Sequence, residues 1–189
     1  WFHYAQSLTQ KPVKGMLTGP YTMLDWSYNE AYPTRRDAAL ALAEVVRQEA
    51  EDLDAAGAQY IQIDEPAIHA RPEELEIAIE AMAIVTQNLK AKTISHICYG
   101  DFAAIYPGIL DLPVDQLDLA MANYHYRWLD LMDTHPFTKD MAIGIVDVHT
   151  HELEPVAEAA EGIRKVLRYV SADKLLPHPD CGLKTRPVE

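Results

Sequence analysis

A histidine and a cysteine two residues apart, His96 and Cys98 in the stretch TISHICYG at 93–100, are the side chains best suited to chemistry in this sequence. The β-branched residues Thr93, Ile94 and Ile97 predict a buried strand that stops at Gly100 and Asp101. Side chains two apart on a strand point to the same face. An imidazole and a thiol side by side at a strand end suit zinc, which takes nitrogen and sulfur donors in tetrahedral geometry. The other cysteine, Cys181, stands in a similar setting, LLPHPDCGLK: a short apolar run, then a turn-forming segment. If both segments are parallel strands of one barrel, their C-terminal ends meet on one face. His96, Cys98 and Cys181 then close three corners of a metal site.

The elements that would carry these residues alternate between strand and helix. Strands are expected at 13–17, 60–63, from 93, at 117–122, 142–148 and 174–176. Helices are expected at 34–56, 72–89, 102–110, 126–132 and 154–170. Thr34 is placed as an N-cap and Gly57 as a C-cap of the first long helix, and Pro72 opens the second. Six strands alternating with helices predict an α/β protein with a parallel sheet. Polar residues follow each strand: Thr18, Asp64 and Glu65, His96 and Cys98, Asn123, Asp147 and His149, Asp180 and Cys181. In a (β/α)₈ TIM barrel such loops form the active face. No glycine-rich phosphate turn follows any strand, which weighs against a dinucleotide-binding sheet. Six strands fall short of eight, and a final helix is due after Cys181. Residues 1–189 therefore read as one partial TIM-barrel domain of about six strand–helix units, its first two strands and last helix absent.

Composition narrows the partners. Sixteen basic against 29 acidic residues give a net charge of −13, which argues against binding a nucleic-acid backbone. No run of about 18 apolar residues suggests a membrane span. The opening WFHYAQSLTQKPVKG lacks the basic-then-apolar pattern of a secretory signal. Two cysteines without export signals are expected as thiols in a reducing compartment, the cytoplasm.

Five segments together carry a family likeness: YAQSLTQKPVKGMLTGPYTMLDWS, AAGAQYIQIDEPA, HICYGDF, GIVDVHTHE and LLPHPDCGLKTR. The chain resembles the C-terminal catalytic barrel of cobalamin-independent methionine synthase, with wording nearest to the short single-domain "core" members. The resemblance implies a zinc-dependent methyltransferase that forms methionine by transferring a methyl group to the homocysteine thiolate. It implies His96, Cys98 and Cys181 as zinc ligands and Asp64 as the carboxylate holding the substrate ammonium group. It further implies His149 as the proton donor, with Asp147 placed to orient it, and Trp26 as the platform on which a folate pterin stacks.

Two positions depart from the family pattern. Ala120 stands where members carry a glutamate ligand, so the resemblance leaves three protein ligands, with water or a neighbour such as Asn123 or His125 in the fourth place. Ala70 stands where an acidic residue contacts the pterin. The methyl donor is accordingly either 5-methyltetrahydrofolate or a methylated corrinoid protein. Two rival readings remain: a related corrinoid/thiol methyltransferase acting on another substrate, and a non-catalytic, metal-free barrel. His69, His135, His151 and His178 match no family ligand and are expected on loops or the surface. Arg35 and Arg36 are expected as a solvated pair.

Overall fold

A computed structural model describes residues 1–183; the end of the LLPHPDCGLKTR segment, from 184 on, lies outside them. Six strands form one sheet: β1 (Lys14–Thr18), β2 (Tyr60–Asp64), β3 (Lys92–Ile97), β4 (Gln116–Leu119), β5 (Asp140–Val146) and β6 (Leu175–Pro179). They lie side by side in chain order, and every neighbouring pair is parallel. A doubly wound sheet reverses its strand order at a switch point. Here the order never reverses, as in the wall of a (β/α)₈ barrel.

Helices α1 (Phe2–Ser7), α2 (Pro20–Asp25), α3 (Arg35–Ala55), α4 (Leu75–Thr86) and α5 (Val156–Val166) accompany the strands. Thr34 caps α3 by accepting the Asp37 N–H at 3.1 Å, and Gly57 leaves the helix at φ 89°. A seam of alanines, Ala38, Ala39, Ala43 and Ala50, is buried on α3. Ala78, Ala81, Met82 and Val85 are buried on α4, which packs against it.

The expected helices shorten where local chemistry intervenes. The helix expected at 72–89 starts with a 3₁₀ turn, Pro72–Glu74, and stops at Thr86 before Asn88, at φ 68°. The helix expected at 154–170 cannot start before Pro155, since a residue preceding proline avoids helical dihedrals. The two short helices are 3₁₀ turns, and Pro107 divides the first into Phe102–Ala104 and Gly108–Asp111. Arg35 and Arg36 are not a free pair. Arg35 bridges Asp25 and Glu74, each at 2.9 Å, and Arg36 pairs with Glu80.

Period-two alternation sorts the strand residues into two environments. Ile61, Ile63, Ile97, Leu117, Leu119, Met141 and Ile143 belong to the buried apolar cluster. Lys14, Met16, Gln62, Asp64, His96, Asp118 and His178 alternate with the apolar set and line one common cavity of about 440 Å³. That inner face is polar, and it positions the site. Among the described residues, no helix is long and apolar enough to cross a membrane.

Candidate metal centre and active site

His96 is the next-to-last residue of β3, and its ring is buried. Cys98 lies just past the strand rather than on it, because β3 ends at Ile97. Beyond it the chain turns sharply through two left-handed residues, Tyr99 at φ 58° and Gly100 at φ 99°. Tyrosine rarely adopts that region, so this turn stores strain beside the site. At Gly100 a side chain is also excluded by space: an added Cβ would lie 2.3 Å from the His69 ring.

Cys181 arrives from the end of β6. The residue before it, Asp180, is fully buried and accepts the backbone N–H groups of Met121, Ala122 and Asn123 at 2.8–2.9 Å. Its own N–H donates to the Val146 carbonyl at 2.9 Å. Asp180 thus ties β6 to the ends of β4 and β5, and Cys181 follows from that anchor.

The result is convergence. One donor atom from each of His96, Cys98 and Cys181 lies within 4.8 Å of the other two. Both cysteines are free thiols, half-buried. On His96, Nδ1 meets Asp118 Oδ1 at 3.0 Å, while Nε2 is buried with no hydrogen-bond partner among the described residues. An unpartnered buried imidazole nitrogen is costly, and the ring that carries it stands beside two thiols. Donors on tetrahedral zinc sit roughly 3.5 Å apart, a spacing these side chains reach by small rotations. The residues fit a zinc ion.

Burial disfavours charge on His96, yet the Asp118 carboxylate and Cys98 outweigh it and push its pKa up to about 11. Burial alone would raise Asp118, but His178 and His96 hold it well below the usual carboxylate range. The same Asp118 Oδ1 contacts Nε2 of His178. His178, expected on a loop or the surface, is instead part of β6 and faces the cavity, because its alternation in the strand turns it inward.

Asp64 ends β2 and lines the same cavity as His96 and Cys181. Gln62 donates to it at 2.7 Å, and Lys14 donates to Gln62 in turn. Burial pushes the Asp64 pKa up, partly offset by the Gln62 hydrogen bond. Its neighbour Glu65 points elsewhere, accepting the N–H groups of Tyr21 and Thr22 at the start of α2.

The two remaining predicted residues lie outside that cavity. His149 is exposed in the loop after β5. Asp147 does not orient its ring: the carboxylate accepts the His149 backbone N–H at 2.8 Å, and ring Nδ1 meets the Tyr99 hydroxyl instead. Trp26 ends α2 with 70% of its surface exposed, an aromatic face open to solvent. Ala120 is buried and offers no donor. Sequence reasoning passed over Asp118, His178 and Tyr99. The signal for Asp118 was available, since a charge inside the apolar run QLDLA must face a polar interior.

Comparison with known proteins bears on the family and the fold. Residues 1–189 match the family described as "Cobalamin-independent synthase, Catalytic domain". A methionine synthase of Saccharolobus islandicus is 41% identical over 184 residues, which is 97% of this chain and 55% of that protein. One from Sulfolobus acidocaldarius is also 41% identical, over 98% of this chain and 54% of its own length. The chain thus spans about half the length of the curated relatives it matches. Among solved structures, a B12-independent methionine synthase from Shewanella sp. W3-18-1, in complex with selenomethionine, superposes with a TM-score of 0.85. It is 29% identical, over 99% of this chain and 60% of that one. By motif, strand order and site, the chain belongs to the cobalamin-independent methionine synthase family.

Proposed function

We propose that this chain carries the zinc and substrate-thiol end of a methyltransferase that converts homocysteine to methionine. The observation that carries the reading is the convergence of His96, Cys98 and Cys181, two of which, His96 and Cys181, line one cavity with Asp64. These three residues would hold zinc, whose charge lowers the pKa of a substrate thiol and makes it nucleophilic near neutral pH. The rest is done by the protein's own side chains. Asp64 binds the substrate ammonium group by a charge-assisted hydrogen bond, and the Lys14–Gln62 chain holds Asp64 in place. His149, with Nδ1 engaged by Tyr99, has Nε2 left to pass a proton to the departing group. Trp26 offers a flat face on which the ring of a methyl donor stacks. A relative of this family binds selenomethionine, an analogue of the product expected here.

We read residues 1–189 as a TIM-barrel domain, and the two free thiols suit a reducing compartment, the cytoplasm. Ala70 is exposed and brings no carboxylate to a pterin, which favours a methylated corrinoid protein over 5-methyltetrahydrofolate as donor. Methionine formation from homocysteine, screened with each donor against zinc-loaded and zinc-stripped protein, tests the reading. Formation that depends on zinc supports it; zinc-independent formation removes the metal's role, and none with either donor removes the reading in favour of a binding barrel.

Asp64 makes a separate prediction. Asp64→Asn is expected to raise the homocysteine KM by about 10- to 100-fold, the value of about 1.5–3 kcal/mol for a hydrogen bond to a charged group. Because burial raises the Asp64 pKa, its carboxylate is lost as pH falls, and at a higher pH than for an ordinary aspartate. Homocysteine KM should therefore rise on the acid side in the parent. That limb should vanish in Asp64→Asn, and a KM profile identical in both would remove the assignment.

A further inference from the structure

Asp118 is the buried carboxylate that the reading above leaves without a task. It stands on β4 directly opposite His96 in the strand register. Its Oδ1 takes His96 Nδ1 at 3.0 Å and also contacts His178 Nε2, so two imidazole edges converge on one oxygen. The two rings cross at 75° with centroids 6.2 Å apart. His178 is itself fixed from behind, its Nδ1 facing the Pro179 carbonyl. Three strands are joined by this clamp: β3 with His96, β4 with Asp118, and β6, which leads on to Cys181.

We propose that Asp118 is a positioning residue whose carboxylate, clamped by His178, holds the His96 ring so that Nε2 is the nitrogen presented to a metal. Three observations support this beyond the contact itself. His96 Nε2 is buried and unpartnered, on the ring edge facing away from Asp118. A flipped ring would lose the Asp118 bond, set a ring carbon against that oxygen and leave His178 as its one imidazole contact, which is costly. Position 120, just past the end of β4, is alanine, so the carboxylate that β4 supplies acts through His96 rather than as a donor of its own. A carboxylate behind a metal-binding histidine fixes its tautomer and strengthens it as a ligand, and such partners commonly govern metal affinity by 10- to 100-fold.

The inference rests on the zinc reading, and the test separates the two. Zinc affinity is measured by chelator competition for the parent, Asp118→Ala, Asp118→Asn and His178→Gln, with the melting temperature of each metal-free protein alongside. Nitrogen-15 NMR of the zinc-loaded proteins reports which His96 nitrogen carries hydrogen. The parent is expected to bind one zinc, with His96 protonated on Nδ1. Asp118→Ala should bind about 10- to 100-fold more weakly. Asp118→Asn, which keeps the shape and an oxygen acceptor, should fall between them, and it carries the test if the alanine variant does not fold. His178→Gln should lose less than Asp118→Ala. One zinc in the parent with equal affinity in Asp118→Asn and Asp118→Ala overturns the positioning role and leaves the zinc reading standing. So does a His96 bound through Nδ1. A parent that takes no zinc overturns both.

Discussion

Replacing either Cys98 or Cys181 by serine is expected to weaken zinc binding by about 10²- to 10³-fold. The size follows from dividing the roughly 10–16 kcal/mol of a full structural zinc site among its donors, about 3 kcal/mol for each thiolate. Serine has nearly the same shape but is a poor zinc donor near neutral pH, so the loss is of chemistry rather than packing. The two thiols come from segments 83 positions apart and reach the site through different anchors, the left-handed turn at Tyr99–Gly100 and the Asp180 cap. Equal loss in both variants therefore identifies a shared ion. The thermal signature should agree. Zinc at 1,000 times its dissociation constant adds about 4 kcal/mol to stability, which corresponds to a rise of roughly 10 °C in Tm for a chain of this size. Parent protein should show that rise on zinc addition, and the serine variants at the same zinc concentration should show about a third of it or less. If Cys181→Ser keeps the parent's zinc content and Tm shift, the three-donor centre is wrong.

Strand residues facing the apolar cluster were legible because burial demands β-branched and aliphatic types at period two. The meeting of His96, Cys98 and Cys181 was legible because parallel strands of one barrel bring their C-terminal ends to one face. What escaped was the polar inner face. Asp118 and His178 acquire their meaning from the register that sets β3 beside β4 and from the path of β6, and neither follows from spacing along the chain. His149 was read as oriented by Asp147, two residues away, whereas its ring partner, Tyr99, lies 50 positions away. Tyr99 reaches it only because the backbone after Cys98 takes a left-handed turn, which no tyrosine advertises in sequence. Helix ends failed for a simpler reason. Proline and left-handed residues at 88, 107 and 155 interrupted apolar patterns that otherwise continued.

Gly144 shows how far such a site depends on residues with no chemistry of their own. It lies in β5, paired with His178, where the register with β6 shifts. A Cβ added there would fall 1.7 Å from Asp180 Oδ1 and 2.7 Å from the Asp180 Cα, a clash with backbone as well as side chain. Gly144→Ala must therefore push Asp180 away from the N–H groups of Met121, Ala122 and Asn123 and carry Cys181 with it. Overpacking of this kind costs about 1–3 kcal/mol, and each buried N–H left unpaired adds about 1 kcal/mol or more. A total near 4 kcal/mol lowers Tm by roughly 10 °C, and zinc affinity should fall with it. Gly182 provides the comparison. It is adjacent to Cys181 in sequence, far closer than Gly144, but a Cβ there meets nothing within 4 Å among the described residues. Gly182→Ala should leave both Tm and zinc content near the parent's values. A methyl group set against Asp180 and one set beside Cys181 should thus have opposite outcomes, and similar behaviour of the two variants would mean that Asp180 does not anchor Cys181.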